Sequence, residues 1–253
     1  MNRLSVFPIF FMFLALAGFT SCSSSESSGD GGGALYGSNP AAGIPDEEEE
    51  PEEQEPERLV EISTDFGVMK VKLYNSTPRH RDNFLKLAEE GFYDGTLFHR
   101  VIAGFMIQGG DPDSKTAEPG QRLGQGGPGY TVPAEIRRGN IHKKGALSAA
   151  RLSDAVNPRR ESSGSQFYIV EGNKFTSENF SAFETNRTYS AAEKQAYFDV
   201  GGYPGLDGQY TVFGEVIEGL GIIDEIARVR KDPNDRPLED ISMTVRVLDE
   251  VVE

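Results

Sequence analysis

The densest run of chemistry-bearing residues in the chain is Phe98-His99-Arg100-Val101-Ile102-Ala103-Gly104-Phe105-Met106-Ile107-Gln108-Gly109-Gly110-Asp111. Arg100 and Gln108 fall on alternating segments, with Phe105 and Met106 between them. If these four share a face, they supply a cation that stays charged at any working pH, an amide that both donates and accepts, and an apolar floor. The run offers no obvious nucleophile or general base. His99 adjoins Arg100, but strand alternation turns neighbouring side chains to opposite faces, which makes it a structural residue rather than an acid/base group. Taken alone, the same residues are better read as a strand pair with an ordinary surface arginine.

Other motifs fail on their surroundings. Gly124-Gln125-Gly126-Gly127-Pro128-Gly129 satisfies G-x-G-x-x-G, yet a dinucleotide site needs a preceding strand and a helix starting on the glycines. The flanking sequence suggests neither, so a flexible Gly-rich loop is expected. Asp65-Phe66-Gly67 reads as a turn, and Gly164-Ser165-Gln166 lacks the setting of a nucleophile elbow. Asn75-Ser76-Thr77, Asn179-Phe180-Ser181 and Asn186-Arg187-Thr188 match the glycosylation sequon and are read as chance. One cysteine excludes an internal disulfide, and His80, His99 and His142, with no second thiol, leave little for a zinc site. His142 is assigned no role. No metal and no cofactor is expected.

The elements that must hold Arg100 and Gln108 are short strands. Leu59, Val60 and Ile62 open one, and Met69, Val71 and Leu73 alternate with Lys70 and Lys72 after the turn at 65–67, which predicts a hairpin. Thr77 as N-cap, Pro78 at the first helical position, the apolar residues Phe84, Leu85 and Ala88, and a closing Gly91 predict a helix. Further strands are expected at 97–102, 105–108, 145–150, 166–170 and 211–216, a second helix at 221–229, and a last strand through Ile241, Met243, Val245 and Val247. Roughly eight strands with two helices predict a mainly β protein, a closed antiparallel barrel capped at its ends. Residues 172–205 break the pattern. They read as a partly helical insertion, with Ser190 and Glu193 as a capping box.

The start of the chain reads as an address. Arg3 precedes an apolar run from Leu4 to Phe19, too short for a comfortable span, and 1–21 is expected to be a signal peptide. Phe19-Thr20-Ser21-Cys22 resembles the lipobox of bacterial lipoproteins, which implies cleavage before Cys22, lipidation of its thiol, and a bacterial cell envelope, outer membrane rather than inner. Residues 22–57 have the composition of a disordered acidic linker. The chain of 253 residues carries 25 basic against 40 acidic residues; Arg3 and eleven acidic residues precede Arg58, leaving 24 against 29, a charge of −5, for 58–253. The overall acidity repels phosphate backbones, and nucleic acid is not an expected partner.

The run at 98–111 resembles the signature of cyclophilin peptidyl-prolyl cis-trans isomerases, F-H-R-x-I-x-G-F-M-x-Q-G-G-D, at every fixed position. Gly145-Ala146-Leu147-Ser148-Ala149-Ala150, Gly164-Ser165-Gln166-Phe167-Tyr168-Ile169 and Leu206-Asp207-Gly208-Gln209-Tyr210-Thr211-Val212-Phe213-Gly214 match in the family's order. The resemblance implies an eight-stranded antiparallel barrel with two helices over 58–253 and catalysis of X-Pro rotation without a covalent intermediate. It implies Arg100 as the catalytic donor, with Gln108 and the backbone of Arg151 holding the carbonyls beside the proline. It implies a proline pocket of Phe105, Met106, Tyr168 and Leu206 with Tyr210 at its rim, Gln166 orienting Arg100 or the loop, and Ala150 bordering the groove. The chain departs from the pattern at Gly205, where many members carry tryptophan, at Tyr210 in place of histidine, and at Tyr168 in place of phenylalanine. The implied partners are proline-containing peptides and folding envelope proteins, with the chain a monomer. A proline-peptide binding module and an adhesin on an acidic stalk are the competing expectations.

Overall fold

The computed structural model describes residues 55–185 and 187–252. The expected signal peptide, Cys22, nearly all of the acidic linker and Asn186 of one sequon lie outside the described residues. In chain order the elements are β1 (Glu57–Thr64), β2 (Gly67–Leu73), α1 (Pro78–Glu89), β3 (Thr96–Leu97), β4 (Arg100–Ile102), β5 (Met106–Gly109), β6 (Thr131–Val132), β7 (Ala146–Ala149), β8 (Ser162–Ser163) and β9 (Phe167–Val170). There follow α2 (Ser177–Phe180), α3 (Ala191–Asp199), β10 (Val212–Glu218), α4 (Leu220–Ala227) and β11 (Ser242–Val252). The protein is mainly β, as its alternating sequence requires.

The strands form one antiparallel sheet in the order β3-β11-β1-β2-β10-β7-β9-β5-β4, with β6 and β8 as a separate pair. Its two outermost strands, β3 and β4, are separated in the chain only by Phe98 and His99. One kinked segment therefore pairs with β11 at its start and with β5 at its end. Counting β3 and β4 as one strand reduces nine to the expected eight, and the sheet curls round to meet itself. Such closure removes the exposed edges that invite pairing with other chains.

Alternation decides what the sheet encloses. Met69, Val71 and Leu73 of β2 are fully buried, while Lys70 and Lys72 point out to Glu218, Glu250, Glu57 and Glu215. Val60, Ile62, Val101, Ile107, Leu147, Ile169 and Val245 complete one continuous core. Phe84 of α1 joins it through the rings of Tyr93, Phe167 and Phe213 at 4.9, 5.4 and 5.5 Å. Ile223 and Ile226 of α4 are buried in the same core.

The start of α1 corrects one expectation. Thr77 is the N-cap residue and Pro78 follows it, but the Thr77 side chain makes no capping bond. The helix N–H groups of Arg79 and His80 donate instead to the Glu135 carboxylate at 3.2 and 3.0 Å. A negative group against a helix N-terminus is favoured by the peptide dipoles as well as by the bonds. The His80 ring binds the same carboxylate at 2.6 Å and Ser162 at 2.9 Å, so both carboxylate oxygens are used.

Residues 172–205 fold around their own apolar cluster of Phe180, Tyr189 and Tyr197 with Ile141. The expected capping box is present, with Ser190 Oγ accepting from Glu193 N and Glu193 reaching back to Ser190 N, and a second one joins Thr176 to Asn179. The stretch leaves and rejoins the barrel through the bridges Asn173↔Gly202 and Lys143↔Gly202. Gly202 has φ +148°, and a Cβ there would fall on the His142 carbonyl oxygen. Gly202→Ala is expected to destabilise the fold by about 2 kcal/mol or more, measured as a lowered denaturant midpoint. Gly139→Ala, where an added Cβ meets nothing within 4 Å, should change it little.

Candidate active site

Three neighbouring strands lay the expected residues in a row. Arg100 pairs with Gln108 across β4 and β5, and Gln108 pairs with Tyr168 across β5 and β9. Because alternate residues face opposite ways, Val101, Ile107 and Ile169 enter the core while Arg100, Gln108 and Tyr168 share the outer face. Met106 lies two residues before Gln108 on that face, opposite Ile102 and Val170. A second apolar cluster forms there from Met106, Tyr168 and Val170, with Phe105, Ala150, Leu206 and Tyr210 packed against it.

Above this row opens a cleft of about 630 Å³. Arg100, Phe105, Met106, Gln108, Ala150, Arg151, Tyr168, Leu206 and Tyr210 all line it. Gln166 stands behind the wall. Arg100 Nη1 donates to Gln108 Oε1 at 3.3 Å, Gln108 Nε2 donates to Gln166 Oε1 at 3.2 Å, and Gln166 Nε2 donates to the Gly126 carbonyl at 2.7 Å. These bonds fix the amide orientations in one direction, running from the cation to the glycine loop. Arg100 forms no ion pair among the described residues, so its charge is available to a ligand. The Arg151 guanidinium lies 4.4 Å from the Tyr210 ring centroid and pairs with Asp154 at 2.5 Å.

Two expectations change here. The segment at 98–99 is the kink between β3 and β4, not regular strand, so alternation does not carry His99 to the opposite face; it is buried and lines the same cleft as Arg100. The Gly-rich loop is pinned where flexibility was expected. Asp111 Oδ2 accepts from Gly124 N at 2.5 Å and from Gly126 N at 3.4 Å, which leaves the loop beside the cleft in one place.

Sequence reasoning missed the support under the pocket floor. His142 is fully buried, with Nδ1 at 2.8 Å from Asp207 Oδ1 and Nε2 at 3.1 Å from the Tyr168 hydroxyl. Since a carboxylate takes the Nδ1 proton, Nε2 carries the lone pair and accepts from Tyr168. The other Asp207 oxygen accepts from Tyr197 at 2.6 Å. Burial holds the His142 imidazole below its ordinary range, against the pull of Asp207. Burial is the largest influence on Asp207 and would raise it, but the hydrogen bonds and charge of His142 and the bond from Tyr197 together outweigh it and keep the carboxyl below the usual range. Burial also pushes the Tyr168 phenol well up, so the network holds an ionised Asp207, a neutral imidazole and a neutral phenol. Tyr203 is a further missed residue. Its ring packs 4.5 Å from that of Phe105, in space left open beside Gly205. The central contact is not local: His142 and Asp207 are 65 positions apart.

Residues 59–247 match the family described as "Cyclophilin type peptidyl-prolyl cis-trans isomerase/CLD". A Staphylococcus aureus (strain COL) protein named "Putative peptidyl-prolyl cis-trans isomerase" is 37% identical over 194 residues, 75% of this chain and 91% of that protein. A Staphylococcus saprophyticus protein of the same name is 36% identical over 186 residues, 72% of this chain and 87% of its own length. The crystal structure of a Cryptosporidium parvum cyclophilin-type isomerase superposes with a TM-score of 0.57 at 25% identity, covering 77% of this chain and 99% of that one. The same protein in the presence of the dipeptide Ala-Pro gives 0.56 at 26% identity, covering 76% and 99%.

Burial is the leading reason that His80, His99 and His142 all lie below the ordinary imidazole range. Below about pH 6.5 the unfolded chain therefore binds protons that the folded chain refuses, and stability falls as pH falls. Unfolding free energy from denaturant titration should be lower at pH 5 than at pH 7, with a limiting slope of about 1.4 kcal/mol per pH unit for each histidine. A flat profile across that window would contradict the assignment of three neutral histidines.

Proposed function

The chain belongs to the cyclophilin-type peptidyl-prolyl cis-trans isomerases, and from that premise we propose an Arg100-centred mechanism acting on X-Pro bonds of cell-envelope proteins. The X-Pro amide resists rotation by about 20 kcal/mol because the nitrogen lone pair is delocalised. At the twisted transition state the nitrogen is pyramidal and basic, so a donor aimed at it stabilises the transition state more than the planar ground state. Arg100 is that donor. Its guanidinium is tethered by Gln108 and neutralised by no carboxylate among the described residues, and this is the observation that carries the reading.

The remaining roles follow from place. Phe105, Met106, Tyr168 and Leu206 grip the proline ring, Tyr210 borders it, and Ala150 lines the groove. The Ala-Pro dipeptide named with the Cryptosporidium structure is a small representative of such a ligand. Gln108 and the Arg151 backbone hold the carbonyls on either side of the rotating bond, and Gln166 fixes Gln108. No bond is made or broken. A gain of about 10⁴ to 10⁵ in rate needs about 5 to 7 kcal/mol of differential stabilisation, within reach of one charged hydrogen bond in a shielded pocket together with positioning.

Arg100→Ala is expected to lower kcat/KM for a short X-Pro peptide about 10²- to 10³-fold, and Arg100→Lys should not restore it, because an ammonium lacks the planar fork. Cis-to-trans kinetics, with folding of each variant checked by circular dichroism, decide the matter. A folded wild-type chain no faster than buffer on several peptides would point to the peptide-binding alternative.

The same reading places the catalytic domain at a bacterial membrane through lipidated Cys22, with the acidic segment as a spacer. Signal sequence, lipobox-like residues and tether composition support it. Incorporation of labelled fatty acid into the chain expressed in a bacterium should be lost in Cys22→Ser, with the variant released into the soluble envelope fraction.

A further inference from the structure

Half of the cleft is left unused by the rotation chemistry. Beyond Arg100 its lining includes Gln121, Arg122 and Leu123 together with Asp232, Asn234 and Arg236, and Arg236 is bonded to the Gln121 carbonyl. Four of the lining residues, Arg100, Arg122, Arg151 and Arg236, are guanidinium cations, against the single carboxylate of Asp232. Asp154 and Asp240, just outside the lining, pair with Arg151 and Arg236, which leaves Arg100 and Arg122 as the lining cations with no carboxylate partner among the described residues. Unpaired cations in a cleft draw anions in from solution.

The four cations are not equally engaged. Arg236 is buried and its guanidinium is occupied, with Nη1 donating to the carbonyls of Glu118 and Gln121 at 2.9 Å each and Nη2 to Asp240 at 2.9 Å. Arg151 is held by Asp154 and Tyr210. Arg100 faces the proline. Arg122 is exposed, and its side chain has neither a hydrogen bond nor an ion pair among the described residues.

Yet Arg122 is rooted in a fixed span. The Gln121 carbonyl before it is tied to Arg236, and the Gly124 N–H after it is tied to Asp111. Two buried charged side chains thus hold the loop on which an unpaired cation stands over the cleft. Beside that loop His99 is 4% exposed and neither of its ring nitrogens has a hydrogen-bond partner among the described residues. A Cβ added at Gly124 would sit 3.5 Å from His99 Nε2, so the absent side chain leaves the imidazole close to the loop and the cleft.

We propose that this half of the cleft is an anion subsite and that the preferred substrates are X-Pro segments with an aspartate or glutamate flanking the proline, its carboxylate met by Arg122; this rests on the isomerase reading above. The subsite would select among client sequences without touching the rotating bond. An exposed pair of this kind changes specificity about two- to fivefold, and more on charge reversal. Because it is exposed, its effect shrinks as salt is added.

The test compares kcat/KM of the full chain at low salt on two peptide sets, Ala-Xaa-Pro-Phe and Ala-Ala-Pro-Xaa, with Xaa as Glu, Gln or Lys. Wild type is run beside Arg122→Glu and beside Arg159→Glu, which makes the same charge change outside the cleft. The expected result is a Glu-over-Lys preference of at least about fivefold in one or both sets, reduced by salt, abolished or inverted in Arg122→Glu and kept in Arg159→Glu. Equal rates across Glu, Gln and Lys in both sets, or a preference that survives Arg122→Glu, overturns the subsite while leaving the isomerase intact. Absence of turnover on every peptide defeats the isomerase reading instead. Affinities of the same peptides, measured by NMR titration, then decide the subsite: tighter Glu peptides in wild type but not in Arg122→Glu uphold it, and equal affinities refute it.

Discussion

Side-chain alternation along β4, β5 and β9 is the constraint on which the site stands. Each strand sends one set of residues into the core and the other into the cleft. Val101, Ile107 and Ile169 are fully buried, so any slip of one residue would expose them and drive Arg100 or Gln108 inward. Register is held from both sides, because the segment carrying β3 and β4 pairs with β11 as well as with β5. The placement of the cation is thereby enforced by packing. No separate device is needed to keep Arg100 beside Gln108.

How far the sequence could be read depended on the distance over which each interaction acts. Arg100, Phe105, Met106 and Gln108 fall within nine consecutive residues, and the period-two pattern gives Arg100, Met106 and Gln108 a common face, with Phe105 in the turn before β5. The box at Ser190 and Glu193 was legible for the same reason, since its two bonds span three residues. The cap of α1 was not, because the acceptor is Glu135, 55 residues from His80. Thr77 carried the right side chain at the right place, and a stronger acceptor from elsewhere took the donors. His99 was misjudged because a two-residue kink interrupts the strand, and period two holds only where pairing is regular. The role of Asp111 in pinning Gly124 and Gly126 could not be seen in the composition of the loop, which by its glycines alone promises mobility.

The pocket floor and residues 172–205 are coupled through polar contacts that leave no sequence signature. Tyr197 donates to Asp207, Asp207 orients His142, and His142 accepts from Tyr168 beneath the cleft. Buried networks of this kind are rigid when every member is satisfied and costly when one is removed. Tyr203 adds an apolar contact to Phe105 at the rim. The stretch therefore influences the cleft through a few identifiable side chains, and most of its surface is uncommitted to the barrel.

That economy of connection gives the stretch a further property. Its two ends meet at Asn173 and Gly202, so the barrel sees a closed stem whatever lies beyond it. Closure entropy grows only slowly with the length of chain enclosed, about 0.6 kcal/mol per doubling. Sequence beyond the stem can then lengthen, shrink or be replaced over evolutionary time while the strand register survives, provided something still reaches Asp207 and Phe105. The stem is, in effect, a port at which a foreign binding loop could be grafted without disturbing the strands.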